Sequence, residues 1–179
     1  MKESSSAAAE DTKTIAIVGA GSIGTAFAVV HAAVDRDVVV YDLNEAQAAA
    51  MPDAVAAIAV ELVEHGLLPE SRRDLASRIR IAGSLEHAVA QAGFVHECAT
   101  EALQLKRDIV AEIDRFANDE AVIASASSAI PISDVAQEIP GRSRCLVAHP
   151  GNPPFLLRVI EIVPAPFTAS ASVERAQTL

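Results

Sequence analysis

Thr14-Ile15-Ala16-Ile17-Val18-Gly19-Ala20-Gly21-Ser22-Ile23-Gly24 is the stretch on which the fold of this chain turns. A short apolar run enriched in β-branched residues reads as a buried strand. It runs into G-x-G-x-x-G, and the small, apolar Ser22–Val34 segment beyond reads as a helix. A second β-branched run, Asp37–Tyr41, ends at Asp42. The glycine pattern alone is a weak signal. Between a strand and a helix, with an acid closing the next strand, it is the fingerprint of a dinucleotide site. Gly19 permits the tight turn, Gly21 lets the backbone approach a pyrophosphate, and Gly24 lets helix and strand pack closely. Ala20, Ser22 and Ile23 complete the loop, whose helix start offers amide donors and a positive dipole to phosphates.

Asp42 can accept from both adenosine ribose hydroxyls and would repel a 2′-phosphate. Leu43, Asn44 and Glu45 supply no cation to hold that phosphate, so the expected cofactor is NAD and not NADP. The competing reading is a glycine turn in an unrelated α/β protein, with Asp42 merely capping a strand end.

Outward from this unit, strands and helices continue to alternate. Asn44 caps an Ala-rich helix from Glu45 to about Glu64, stopped by Gly66, with Met51-Pro52 as a point of kinking or splitting. Pro69–Ser77 reads as a second helix, making a helical hairpin over about residues 45–78. Strands are expected at Arg78–Ala82, Gly93–Cys98, Ala121–Ala124, Arg144–Ala148 and Arg158–Val163. Helices are expected at Leu85–Gln91, Glu101–Ala117, around Ile132–Glu138 and from Thr168 onward. The pattern predicts a doubly wound α/β sheet of the Rossmann type, mainly parallel, with helices on both faces. Ligands of such sheets bind at the carboxyl ends of the strands, where Asp42, Glu97, Ser125 to Ser128 and His149 fall.

Composition narrows the function classes. The chain has 179 residues, 51% of them hydrophobic, enough for one domain with a real core and too apolar for disorder. A net charge of −10 argues against nucleic acid and anionic membranes as partners. No apolar run is read as long enough to span a bilayer. Cys98 and Cys145 lie in apolar runs and read as buried thiols, which fits a reducing, cytoplasmic setting. Residues 1–12 are polar and small, lack the apolar core of a signal peptide, and read as a flexible leader before a domain over 13–179.

The strongest chemical signal is Ala148-His149-Pro150-Gly151-Asn152-Pro153-Pro154, which closes a strand-like run. Glu161 follows inside the apolar run Val159–Val163, and apolar strands rarely carry an unpaired carboxylate. Together they predict a His–carboxylate pair acting as a general base. The bland alternative is a buried histidine satisfied by a carbonyl. His31, His65 and His87 read as surface or packing residues. Alternation points His96 and Glu97 to opposite faces. Among the serines of Ala124–Ala129, Ser127 reads as a helix cap, and spacing does not choose a ligand contact among Ser125, Ser127 and Ser128. No His or Cys spacing resembles a metal site, and no G-x-S-x-G elbow points to a hydrolase.

Four ordered segments resemble the NAD-binding domain of the 3-hydroxyacyl-CoA dehydrogenase family. They are Val18–Gly24, His96–Lys106, Ala124–Ser128, and His149–Pro154 through Glu161. The resemblance runs from Thr14 to Leu179. It implies a Rossmann domain that binds NAD and oxidises the hydroxyl of an L-3-hydroxyacyl-CoA or a small 3-hydroxy acid. It puts the catalytic histidine on His149, its partner on Glu161 and a substrate-contacting serine on Ser128. It also puts Glu101 and Lys106 on the nicotinamide side, and Asn152 in contact with cofactor and substrate; the bland reading of Glu101 and Lys106 is an exposed pair on one helix. The Asn-Pro-Pro-Phe-Leu-Leu continuation resembles a branch containing lambda-crystallin, L-gulonate 3-dehydrogenase and carnitine dehydrogenase, which oxidises small free acids.

The CoA reading is weakened because Asp53–Glu70 holds no Lys or Arg; Arg72, Arg73, Arg78 and Arg80 come later. Gly151 replaces a bulkier residue usual after His-Pro, which predicts a looser loop. The resemblance also implies a second, all-helical domain that this sequence does not include, leaving an open cleft and an apolar face prone to self-association into a homo-oligomer. The alternative is therefore an NAD-binding module with a structural role and no chemistry.

Overall fold

The computed structural model describes residues 13–179, so the leader expected at residues 1–12 lies outside it. The elements are β1 (Thr14–Val18), α1 (Ser22–Ala33), β2 (Asp37–Tyr41), α2 (Glu45–Glu64), β3 (Ile79–Ile81), α3 (Leu85–Val89) and β4 (Phe94–Glu97). They continue with α4 (Leu103–Phe116), β5 (Val122–Ser125), α5 (Ile132–Val135), β6 (Cys145–Pro150), β7 (Ile160–Pro164) and α6 (Ser170–Thr178). One seven-stranded sheet has the order β3-β2-β1-β4-β5-β6-β7. All pairings are parallel except β6 with β7. This is the doubly wound, mainly parallel α/β sheet expected.

The strand order reverses between β1 and β4, so the crevice beyond their carboxyl ends is the topological switch point where such sheets bind ligands. The central strands are buried on both faces: Ile15, Ala16 and Ile17 are fully covered. On one face α3, α4 and α5 pack against Ala16, Val95 and Ile123. On the other, α1 and α2 pack Phe27, Met51 and Val55 against Ile17, Val38 and Val40.

Three local expectations are corrected. The α2 helix runs unbroken through Pro52, because its buried row Ala48, Met51, Val55, Ala59 and Leu62 continues on both sides of the proline. Packing of that row outweighs one missing hydrogen bond. The hairpin has no second α-helix: residues 69–78 form two 3₁₀ turns, Glu70–Arg72 and Ala76–Arg78. Asp74 accepts from Ser77 N, a local bond that competes with a helical ladder, and Leu75 alone is buried there. Finally, α2 is by length and composition long and apolar enough to cross a membrane. Its packed row and the acidic residues Asp53 and Glu61 on its exposed side make it a helix of the core.

Strand β7 leaves Ile160 and Val163 exposed at the sheet edge, beside exposed Leu156, Leu157 and Val159.

Candidate functional site

Two of the three loop glycines are required by the protein's own packing. Gly19 has φ +108°, and a Cβ there would lie 2.7 Å from the carbonyl of Cys98 at the end of β4. At Gly24 a Cβ would lie 2.0 Å from Gly19 O, so any side chain would part α1 from β1. Gly21 is different, since the nearest atom to its Cβ would be Gln47 Nε2 at 3.7 Å. The space above Gly21 is open, as a backbone that receives a pyrophosphate needs. Gly21 is also the N-cap of α1 and no side chain caps it, which leaves the amides of Ser22, Ile23 and Gly24 at a bare helix start.

Asp42 sits one residue beyond β2. Its Oδ2 accepts from Ala20 N at 2.7 Å and its Oδ1 from Asn44 N at 2.8 Å. The carboxylate thus braces the loop, and each oxygen keeps lone-pair capacity for ribose hydroxyls. The capping role and the ribose role are compatible, and the loop fits a dinucleotide.

Across the switch point lies a cleft of about 360 Å³ lined by Ile23, Cys98, Lys106, Ser128, His149 and Asn152, with Glu101 among its walls. The structure therefore gathers Ser128, His149, Asn152, Glu101 and Lys106 beside the glycine loop. His149 and Glu161 are direct cross-strand partners on β6 and β7, with Nδ1 to Oε2 at 2.9 Å. Their side chains are 33% and 66% exposed. Gly151 does not loosen the loop that follows: its N–H donates to Val159 O at 2.9 Å, and a Cβ there would meet Leu157 Cβ at 3.3 Å. The Asn152–Pro153 peptide is cis.

The bland alternative for Glu101 and Lys106, an exposed pair on one helix, does not hold. Glu101 precedes α4, and Lys106 is buried. Lys106 Nζ donates to Glu97 Oε1 at 3.0 Å, to Glu97 Oε2 at 2.9 Å and to Ala99 O at 3.1 Å, and lies 3.6 Å from Glu101 Oε2. Ser125 is buried and donates to Glu97 Oε2 at 2.6 Å, so its hydroxyl proton is engaged within the protein. Ser127 donates to Glu101 Oε1 at 2.5 Å and accepts from Ile130 N at 2.8 Å. It closes the turn before α5 and is not the helix cap expected, since the N-cap of α5 is Pro131 and no side chain caps it. Ser128 alone of the three is exposed.

Burial works to raise the pKa of Glu101. Hydrogen bonds from Ser127, Ala129 N and Ser128 N, with the Lys106 charge, outweigh it and hold the carboxyl below its usual range. Cys98 also borders the cleft. Burial, and then the Glu97 charge, push its thiol far above the ordinary range despite the opposing Lys106 charge, so it is an inert wall.

The one residue of this site that sequence reasoning missed is Glu97. Its position at a strand end carries no role in the sequence reading. The signal was available: a carboxylate closing the apolar strand Phe94–Glu97 demands a partner just as Glu161 does.

The family model for the 3-hydroxyacyl-CoA dehydrogenase NAD-binding domain matches residues 14–179. The chain belongs to this family. It is an NAD-binding domain, and the glycine loop and Asp42 are the parts of this chain that fit the cofactor. An L-carnitine dehydrogenase of Streptomyces griseus is 37% identical over 167 residues, covering 93% of this chain and 49% of the relative. A lambda-crystallin homolog of Mus musculus is 36% identical over 171 residues, covering 92% of this chain and 52% of the relative. A solved (S)-3-hydroxybutyryl-CoA dehydrogenase of Ralstonia eutropha superposes with a TM-score of 0.87 at 27% identity, covering 93% of this chain and 59% of that one. The chain thus spans about half the length of the curated relatives it matches.

Proposed function

We propose that this domain serves the oxidation of a secondary hydroxyl to a ketone, on an L-3-hydroxyacyl-CoA or a small 3-hydroxy acid. The observation that carries this reading is the His149–Glu161 pair, whose histidine shares a cleft wall with Ser128 and Asn152 beside the glycine loop. NAD, when bound, supplies the hydride acceptor. With Nδ1–H donating to Glu161, the His149 tautomer leaves Nε2 with a lone pair for the substrate hydroxyl proton. The Glu161 carboxylate then stabilises the imidazolium. The Ser128 hydroxyl holds the substrate oxygen, and Asn152 orients the reacting carbon against the cofactor. The C–H bond breaks with its electron pair leaving as hydride, the O–H proton goes to His149, and a C=O bond forms.

Small free acids are the favoured substrates. Asp53–Glu70 carries no Lys or Arg, and of the arginines that follow, Arg72 and Arg78 pair with Asp35 and Arg73 with Glu70, which leaves little free positive charge there for the phosphates of CoA. The similarity to an L-carnitine dehydrogenase points the same way. The test is NADH formation with carnitine, gulonate and 3-hydroxybutyryl-CoA.

A second reading is a module that binds NAD and does no chemistry. It is favoured by the exposure of Glu161 and Ser128, since water weakens electrostatic catalysis. Calorimetry showing NAD binding, with no turnover on any of the three substrates, would select it.

A further inference from the structure

Glu97 is a fully buried carboxylate at the carboxyl end of the central strand β4. It gathers donors from three directions. Ala99 N bonds Oε1 at 2.7 Å, Ser125 Oγ on β5 bonds Oε2 at 2.6 Å, and Lys106 Nζ on α4 bonds both oxygens. Its acceptor capacity is taken up within the protein, so it has nothing left for a ligand. Lys106 in turn is 1% exposed and lies 3.6 Å from Glu101 Oε2. Glu101 uses its other oxygen to hold the Ser127–Ala129 turn, accepting from Ser127 Oγ and from the amides of Ser128 and Ala129. The chain of contacts runs from the middle of the sheet, through Lys106 and Glu101, to the turn that carries exposed Ser128.

A buried ion pair is weak support for stability, because desolvation offsets much of its attraction. It is a strong device for fixing geometry when every lone pair and proton is satisfied, as here. We infer that Glu97 is a positioning residue: it fixes Lys106, and through Glu101 the Ser128 turn, so that the nicotinamide half of the cofactor meets a preformed wall. This rests on the reading of the cleft as the nicotinamide side of the site. Asp42 and the glycine loop, which would receive the adenosine and pyrophosphate, are braced chiefly by other bonds: Asp42 accepts from Ala20 N and Asn44 N, and Gly19 N donates to Tyr41 O.

The test compares the affinities of the full chain for NAD and for ADP-ribose, which lacks the nicotinamide. In Glu97→Gln, NAD affinity falls about tenfold or more while ADP-ribose affinity stays within about twofold. Ser125→Ala removes one donor from the same carboxylate at small cost to the fold. It carries the test if Glu97→Gln does not fold, with a selective loss of NAD affinity of about threefold. Loss of both ligands together, or of neither, in the folded variants would overturn the inference while leaving the cofactor site intact in the wild type. Failure of the wild type to bind either ligand would instead overturn the cofactor reading, and this inference with it.

Discussion

His149 and Glu161 face each other directly across the one antiparallel pairing of the sheet, β6 with β7, and their side chains meet at 2.9 Å. The register alone sets the pair. Two side chains directly opposite on one sheet face are held within contact distance by the backbone ladder. Glu161→Gln keeps the shape but removes the charge that would stabilise an imidazolium. It should lower turnover by about tenfold to a hundredfold, with NAD affinity unchanged in calorimetry.

Gly24→Ala should damage both fold and cofactor binding. The new Cβ would lie 2.0 Å from Gly19 O, so α1 must move away from β1. Overpacking of this kind costs about 1–3 kcal/mol, measurable as a lower urea midpoint. Gly21→Ala, where no protein atom comes nearer than 3.7 Å, should lower that midpoint less, by the modest cost of Ala at an N-cap, and still weaken NAD binding.

Asp42→Ala frees Ala20 N and removes the expected ribose acceptor. NAD binding should weaken by about tenfold, and discrimination against NADP should shrink because the repelling carboxylate is gone. Parallel titrations with the two cofactors check both outcomes.

Lys106→Met leaves Glu97 as an unpaired carboxylate at the centre of the sheet. Removing one partner of a buried pair costs about 3–5 kcal/mol, and Glu97→Gln added to it should restore most of the loss. Denaturant unfolding of the two variants measures this difference.

Stability should fall in mild acid. His31 and His96 are buried with their Nε2 atoms 2.9 Å apart, stacked on Phe27. Burial, then the Arg36 charge, lowers the His31 pKa to about 3, and burial, then His31, lowers that of His96 well below the ordinary value. Both stay neutral in the fold while the unfolded chain takes up protons below about pH 6.5. Stability is therefore complete above that pH and declines as pH falls toward the folded-state pKa values. Each imidazole contributes up to about 1.4 kcal/mol per pH unit. Replacing both with apolar residues should flatten the dependence of the urea midpoint between about pH 6.5 and 5.

What could be read in advance follows a physical division. The β1–Gly loop–α1 unit was legible because Gly19 and Gly24 answer to backbone constraints that no other residue meets. The His149–Glu161 pair was legible because each sits in an apolar strand that cannot tolerate an idle polar group. The Lys106–Glu97–Ser125 cluster was not, because α4 places Lys106 against a strand end by tertiary packing, which no local spacing announces. Residues 69–78 misled for a related reason: their helical composition is overridden by local side-chain bonds at Asp74 and by the lack of a buried face.

The most direct test of the central claim is single-turnover NADH formation from carnitine, gulonate or 3-hydroxybutyryl-CoA, in wild type and in His149→Gln at saturating NAD. The account predicts NADH from at least one substrate in wild type, a rate lower by about two to four orders of magnitude in the variant, and equal NAD affinity in both. Equal rates in the two proteins, or NAD binding without any NADH, would contradict it.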